Sequence, residues 1–131
     1  MPLVLLNRNP ELLDDDLTHL LGKMLCEAVA KALSIDDDPD GRLTPSDIEV
    51  VVRDVRPGVD INYVTLAIII FANDFPSRKA NLDERREKIE AAIRDYFKTG
   101  PSSLARLGRE LSMAKQMFVW IRLAPASFGF V

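Results

Sequence analysis

The sequence predicts an α/β fold, an α+β sandwich in which two β-α-β units form a four-stranded sheet with both helices on one face. Three observations predict it. Four apolar or β-branched runs recur along the 131 residues, amphipathic stretches separate them in the order β-α-β, β-α-β, and turn-forming clusters divide them. Right-handed crossovers place both helices on the same side of the sheet. The length fits a single domain over residues 1–131.

The first unit begins with Leu3 to Leu6, an apolar run that predicts a strand buried on both faces. Asp14 to Asp16 then supply an N-cap and first-turn acids for a helix. Its apolar stripe has helical spacing and comprises Leu17, Leu20, Leu21, Met24, Leu25, Ala28, Val29, Ala32 and Leu33. The β-branched run Ile48 to Val55 predicts the second strand, which ends at Arg56-Pro57-Gly58.

The second unit begins with Asn62 to Phe71, which predicts a third strand that is central because it lacks Pro and Gly. We predict a polar loop over Ala72 to Lys79, and a second helix capped by Asn81. The apolar stripe of that helix is Leu82, Ile89, Ala92, Ile93, Tyr96 and Phe97. Leu104 to Ala114 predicts a further helical stretch, and Met117 to Leu123 predicts the fourth strand.

The face of the sheet that carries no helices also has to be covered. Strands as apolar as Ile68 to Phe71 would otherwise expose a large patch to water, which monomers rarely tolerate, so we predict an oligomer. Phe118 and Trp120 alternate on the fourth strand. They could line a pocket or a subunit interface, but we favour packing in the core.

Composition excludes several classes of function. A net charge of −3 gives no basic field for phosphate backbones, so we expect no nucleic-acid partner. The longest apolar run, Val64 to Ala72, is too short to cross a membrane, and the first residues show no secretory signal, so we predict a cytoplasmic location. Cys26 is predicted to be a small core residue and His19 a helix-surface histidine, since neither has metal-ligand or catalytic partners at a suitable spacing.

Pro2 is the first candidate for chemistry. An initiator methionine before a small residue is commonly removed, which would leave Pro2 with a free secondary amine at the start of a buried strand. Desolvation disfavours the protonated amine and moves its pKa towards the range where a general base works best. If Met1 stays attached, the nitrogen is an amide and has no basicity.

The architecture and Pro2 together resemble the tautomerase superfamily, in particular 5-carboxymethyl-2-hydroxymuconate isomerases and, more distantly, macrophage migration inhibitory factor. The resemblance spans nearly the whole chain. The residues that carry it are Met1 to Leu6, Pro45 to Val50, Asp60 to Tyr63 and Asn81 to Arg85. It implies a homotrimer and a cofactor-independent tautomerase or isomerase, with Pro2 as general base on a small keto or enol acid.

Family enzymes also use arginines to bind carboxylate and to stabilise the dienolate. The candidates here are Arg8 beyond the first strand, Arg53 on the second and Arg78 before the second helix. The chain departs from the isomerase pattern at both arginine positions. It has Asp47 and Glu49 near the start of the second strand, and Ala80 near the second helix.

Two alternatives remain open. The chain could be a non-catalytic oligomeric protein with the tautomerase fold, a reading that the departures at the arginine positions favour. The loop from Asp36 to Asp47 could instead bind calcium, because its carboxylates and Gly41 follow the spacing of an EF-hand. Against calcium, position twelve is Asp where Glu is usual, the following segment predicts a strand, and the loop occurs once. We therefore assign no metal ligand.

Overall fold

The structure is a computed structural model that describes residues 2–36 and 41–124. Its elements follow the chain in this order: β1 (Leu3–Arg8), α1 (Asp15–Leu33), a 3₁₀ turn (Pro45–Asp47), β2 (Glu49–Asp54), β3 (Leu66–Asn73), α2 (Pro76–Ala80), α3 (Leu82–Thr99), α4 (Ser102–Met113) and β4 (Met117–Ala124). The α+β class predicted from the sequence is confirmed.

The four strands form one mixed sheet in the order β2-β1-β3-β4. β1 is parallel to β2 and antiparallel to β3, whereas β3 and β4 are parallel. Each parallel pair is therefore one β-α-β unit, and the two units join through the β1–β3 pair. The prediction that the third strand is central is confirmed, because β3 lies between β1 and β4.

The core lies between the helices and one face of the sheet. From β1 it takes Val4 and Leu6, and from the long helices it takes buried side chains such as Leu21, Leu25 and Ile89. The N-terminus of α1 is capped as predicted, since the Asp14 carboxylate accepts a hydrogen bond from the backbone N–H of Leu17. The rest of the core comes from β3, α3, α4 and β4, and comprises Leu66, Ile68, Ile70, Ala72, Ile93, Phe97, Leu104 and Ile121.

Two predicted boundaries in the second unit were wrong. β3 begins at Leu66 rather than Asn62, because Asn62 has a φ of 56° and cannot continue an extended strand. The predicted polar loop over Ala72 to Lys79 instead contains the end of β3 and the helix α2, in which Pro76 occupies the first turn. Asn81 precedes α3 as predicted, but its side chain accepts a hydrogen bond from Arg85 and does not cap the helix.

Side-chain burial also corrects two predictions about the sheet. β1 alternates between buried and half-buried residues, so the outer face of this strand is not buried in the single chain. Phe118 and Trp120 do not pack in the core: they are 41% and 53% exposed on the outer face. The alternation of β4 explains this, because Val119 and Ile121 take the places that face the helices.

The predictions for α4, His19 and Cys26 agree better with the structure. The further helical stretch is α4, and His19 is exposed on α1. Cys26 is half-buried and packs against the core. None of the helices that the structure describes is long and apolar enough to cross a bilayer.

Candidate functional site

Pro2 is buried immediately before β1, at one end of the sheet. Its carbonyl oxygen accepts a hydrogen bond from the backbone N–H of Glu49, which ties it to the start of β2. The next residue, Leu3, pairs with Phe71 near the end of β3. Because side chains alternate along a strand, Pro2 lies on the same face as Val4, which is the helix-covered face.

We call this part of the molecule the Pro2 end, and define it by Pro2, Asn73, Asp74, Arg78 and Lys79. The last four follow the Leu3–Phe71 pair along the chain, in the short segment that leads from β3 into α2. Strand spacing places the backbone of Asn73 on the order of 6 Å from that of Pro2. The charged residues of this segment therefore lie at the same end of the sheet as the candidate base.

Arg78 is the predicted arginine that lies at the Pro2 end. It is 2% exposed, and its Nε and Nη1 donate to the carbonyl oxygens of Leu33 and Asn73 at 2.9 and 3.0 Å. Its guanidinium also lies 4.8 Å from the centre of the Phe75 ring. Burial, and then the positive charge of Arg85, lower the pKa of Arg78, but an arginine stays protonated in proteins.

The charge of Arg78 is not paired with a carboxylate in the described part of the chain. Its two hydrogen-bond acceptors are neutral carbonyls, and its Nη2 atom donates to no described residue. Arg85 shares the same helix end and donates to the carbonyl oxygens of Ala32 and Ser34. The two arginines thus complete the C-terminus of α1, where negative helix-dipole charge favours cations.

Asp74 was not among the candidates from the sequence. One carboxylate oxygen, Oδ2, lies 2.8 Å from Lys79 Nζ, while Oδ1 is buried and accepts no hydrogen bond from the described residues. The backbone is fixed to β4, since the N–H of Asp74 donates to the carbonyl oxygen of Ala124. A buried carboxylate oxygen without a donor is costly, so it marks a place that a ligand hydroxyl could fill.

Arg8 lies at the opposite end of β1, six residues from Pro2 and about 20 Å away along the strand. Its guanidinium donates to Asp54, Asp15 and Thr18 at 2.8, 2.6 and 2.8 Å, and also to the Leu13 carbonyl. The hydrogen-bonded carboxylates of Asp54 and then Asp15 raise the pKa of Arg8. The positive charge of Arg8 is therefore balanced by the carboxylates of Asp15 and Asp54.

Arg53 lies at the same end, which we call the Arg8 end and define by Asn7, Arg8, Arg53 and Asp54. Arg53 pairs with Asn7 across β1 and β2, about 17 Å from Pro2 along the strand. Its exposed side chain lines a cleft of about 220 Å³ with Asp60, Ile61 and Tyr63 among others. Within one chain, the fold therefore brings Arg78 to Pro2 and keeps Arg8 and Arg53 away from it.

The sequence carried one signal for the residues at the Pro2 end. Asp74, Arg78 and Lys79 follow an apolar strand directly, and an antiparallel β1–β3 pair places the end of that strand beside the start of β1. The pairing was not deducible from the sequence, so the signal could not be used there.

Three solved structures share this architecture. A 5-carboxymethyl-2-hydroxymuconate delta-isomerase matches with a TM-score of 0.60 and 11% identity, over 100% of this chain and 86% of that one. A member of the cis-3-chloroacrylic acid dehalogenase family has a TM-score of 0.54 and 14% identity, over 94% and 75% of the two chains. A malonate semialdehyde decarboxylase inhibited by 3-bromopropiolate has a TM-score of 0.52 and 16% identity, over 98% and 89%.

The chain has the tautomerase-superfamily fold. The resemblance drawn from its residues is thereby confirmed at the level of the fold. A scan against protein-family models gave no match, and a search of curated protein sequences gave none either. Since fold alone does not fix function, the chemistry has to be argued from the Pro2 end.

Proposed function

We propose that the chain, as one domain over residues 1–131, is a cofactor-independent tautomerase with Pro2 as its general base. The observation that carries the proposal is the position of Pro2, which is buried at the end of the sheet where Arg78 keeps an unpaired positive charge. Removal of Met1 would turn the Pro2 nitrogen into a secondary amine. Desolvation would favour its neutral, basic form.

The substrate class that suits this end is a small keto or enol acid. In the direction of enolisation, the Pro2 nitrogen would take a proton from the carbon next to the carbonyl, and negative charge would develop on the carbonyl oxygen. The guanidinium of Arg78 supports binding of the carboxylate or stabilisation of that oxygen, since a fixed cation in a site of low polarity is effective for both. The protonated Pro2 would then return its proton to the other end of the dienolate, so that atoms and charge balance.

Asp74 is a second candidate in this scheme. Its buried Oδ1 has no donor among the described residues, so a substrate hydroxyl could donate to it. For ketonisation, Asp74 would accept the proton of the enol hydroxyl while protonated Pro2 donates a proton to the substrate carbon. Lys79 Nζ lies 2.8 Å from the other carboxylate oxygen, Oδ2.

Two measurements test the role of Pro2. Intact mass decides whether Met1 is removed, and ultraviolet absorbance follows the ketonisation of phenylpyruvate enol and of 2-hydroxymuconate. We expect Pro2→Ala to lower kcat/KM by about 10²–10⁴-fold, the usual contribution of a positioned base. Pro57→Ala is the matched control, because Pro57 lies exposed in the turn after β2. Equal rates in wild type and Pro2→Ala would end the proposal.

We also propose that the protein is a homotrimer. The outer sheet face exposes or half-exposes a continuous apolar row, since Val51, Leu5, Ile69 and Trp120 are neighbours across the four strands. Phe118 and Phe71 extend that row. Such a patch favours association. We expect Trp120→Arg to yield a smaller species in analytical ultracentrifugation, while Met113→Arg, on the exposed side of α4, should leave the assembly unchanged.

Assembly also bears on Arg8 and Arg53, because neither reaches Pro2 within its own chain. If Arg53 binds substrate at a Pro2 site, it comes from a second copy. Mixing inactive Pro2→Ala and Arg53→Ala chains would then restore activity in part, because some sites would combine an intact Pro2 with an intact Arg53. If the mixture recovers no activity, Arg53 does not bind substrate at the Pro2 site of a second copy.

The competing function is a non-catalytic oligomer with the same fold, which the neutralised state of Arg8 favours. It predicts a trimer without Pro2-dependent turnover.

The calcium alternative falls partly on residues 37–40, which lie outside the described residues. Its last position, Asp47, already accepts hydrogen bonds from Thr44, and β2 rather than a helix follows. An unchanged melting temperature in millimolar calcium would count against it.

A further inference from the structure

A groove between α3 and α4 lies on the helical side of the molecule, away from the Pro2 end. It has a volume of about 280 Å³ and a largely carbon surface that includes Phe97, Met113 and Met117. Met113 is 86% exposed, so its side chain is available to a ligand. Methionine is flexible and polarisable, so such a surface adapts well to an apolar ligand.

Three cations line the same groove. Arg94 and Lys98 extend from α3, and Arg109 extends from α4. The lining of this groove includes no carboxylate. Of the acids nearby on the same helices, Glu90 bonds to Arg86 and Glu110 bonds to Arg106, while the exposed Asp95 forms no ion pair in the described part of the chain. None of the ion pairs within residues 2–36 and 41–124 includes Arg94, Lys98 or Arg109. The lining of the groove therefore carries more positive than negative charge.

The groove continues into a second cleft of about 110 Å³. Arg94, Ser112 and Met117 line both. The second cleft adds Ile93, Phe118 and Val119, and also Glu90, whose carboxylate is paired with Arg86. At the roughly 30 Å³ that a water molecule takes in the liquid, the larger space alone holds about nine non-hydrogen atoms. With the second cleft, an elongated ligand of about twelve fits.

We propose that this groove binds a medium-chain amphipathic carboxylate of about eight to ten carbons. Its chain would lie on Met113 and Met117, and its carboxylate would meet Arg94, Lys98 and Arg109. Charge complementarity selects an anion, and the length of the combined groove selects an extended chain rather than a compact acid.

This site is independent of the proposed tautomerase activity. Met117 pairs with Leu66, and Leu66 pairs with Arg8, so this end of β4 lies about 20 Å from Pro2 along the sheet. A ligand in the groove would not occupy the Pro2 end. Binding can therefore be tested whether or not the protein turns over a keto acid.

The test is a titration of the full chain with decanoate below its micelle concentration, followed by NMR of ¹³C-methyl methionines. We expect the methyl signals of Met113 and Met117 to move with a common Kd on the order of 10⁻⁴ M. Met24 is the internal reference, because it lies on α1 and packs against the core. Equal shifts at all three positions, or none, would overturn the proposal.

Variants give the second arm. Arg94→Gln with Arg109→Gln should weaken decanoate binding about tenfold or more, because each removes a charge-assisted contact. Arg106→Gln is the matched control, since Arg106 lies on α4 outside the groove and should bind as wild type. Ser112→Trp should block the groove; if circular dichroism shows that it does not fold, the double glutamine variant decides.

Two further outcomes would refute the site. Decanol binding as tightly as decanoate would show that the cations take no part. Binding to anionic phospholipid vesicles without binding to monomeric decanoate would assign the surface to a membrane instead.

Discussion

The two ends of β1 each hold a buried arginine, and the two are used differently. Arg8 is surrounded by the carboxylates of Asp15 and Asp54, which balance its charge. Arg78 donates to the carbonyl oxygens of Leu33 and Asn73 and has no carboxylate partner in the described residues. The comparison teaches that buried arginines of similar exposure can donate either to carboxylates or only to neutral carbonyls, so burial alone does not show whether their charge is balanced.

The largest effect on stability is expected at Arg78. We expect Arg78→Met to lower the free energy of unfolding by about 3 kcal/mol, because two buried carbonyl oxygens lose their donors. Arg78→Lys should recover only part of this, since lysine lacks the planar fork that reaches both acceptors. Urea denaturation measures the change. A loss below about 1 kcal/mol in the methionine variant would mean that water replaces the guanidinium easily.

Arg8 should show a smaller effect. We expect Arg8→Met to cost about 1–2 kcal/mol, because its partners have other ways to be satisfied. Asp15 and Asp54 are 91% and 51% exposed and can return to water, while Thr18 Oγ1 already bonds to the Asp14 carbonyl. The same urea experiment on both variants compares the two ends directly. A larger loss at Arg8 than at Arg78 would reverse the comparison.

The smallest expected effect is a pH dependence near the Pro2 end. The backbone N–H of Thr44, and then its hydroxyl, lower the pKa of Asp47, which lies just before β2. A carboxyl whose pKa is lower in the folded chain stabilises it above the unfolded pKa, and the contribution is lost as pH falls through the folded pKa.

Wild type should therefore be more stable than Asp47→Asn near neutral pH, and the difference should disappear as pH falls through the lowered pKa of Asp47. Thermal melts at several pH values measure this. Asp36→Asn is the control, because the carboxylate of the exposed Asp36 makes no hydrogen bond in the described part of the chain. A difference that grows towards acid pH would contradict the assignment.

Sequence periodicity predicted the topology well because each element carries a complete pattern of its own. The acids at Asp14 to Asp16 and the apolar stripe of α1 were sufficient to place that helix, and the β-branched run predicted β2 to within a residue at each end. The order of the elements then limited the sheet to few arrangements.

The misplacement of Phe118 and Trp120 has a physical cause, which is that alternation does not say which phase faces the core. Phe118 and Trp120 were assigned to the core on size, but the phase they share with Arg122 faces outwards. At the candidate site, Arg78 and Asp74 depend on α2 turning back over the end of β3, and a five-residue helix leaves little periodicity to read. Whether a guanidinium is balanced by acids also depends on contacts far apart in the chain.

Gly108 gives one last consequence. A methyl group at this position would lie 2.8 Å from Phe97 Cβ, so the hydrogen atom there is what allows α4 to approach α3. Replacing it with alanine would push the two helices apart by a few tenths of an ångström and widen the space beside them. The residue at position 108 thus sets the width of the groove between α3 and α4. Chains that differ only at this position would be expected to prefer ligands of different thickness.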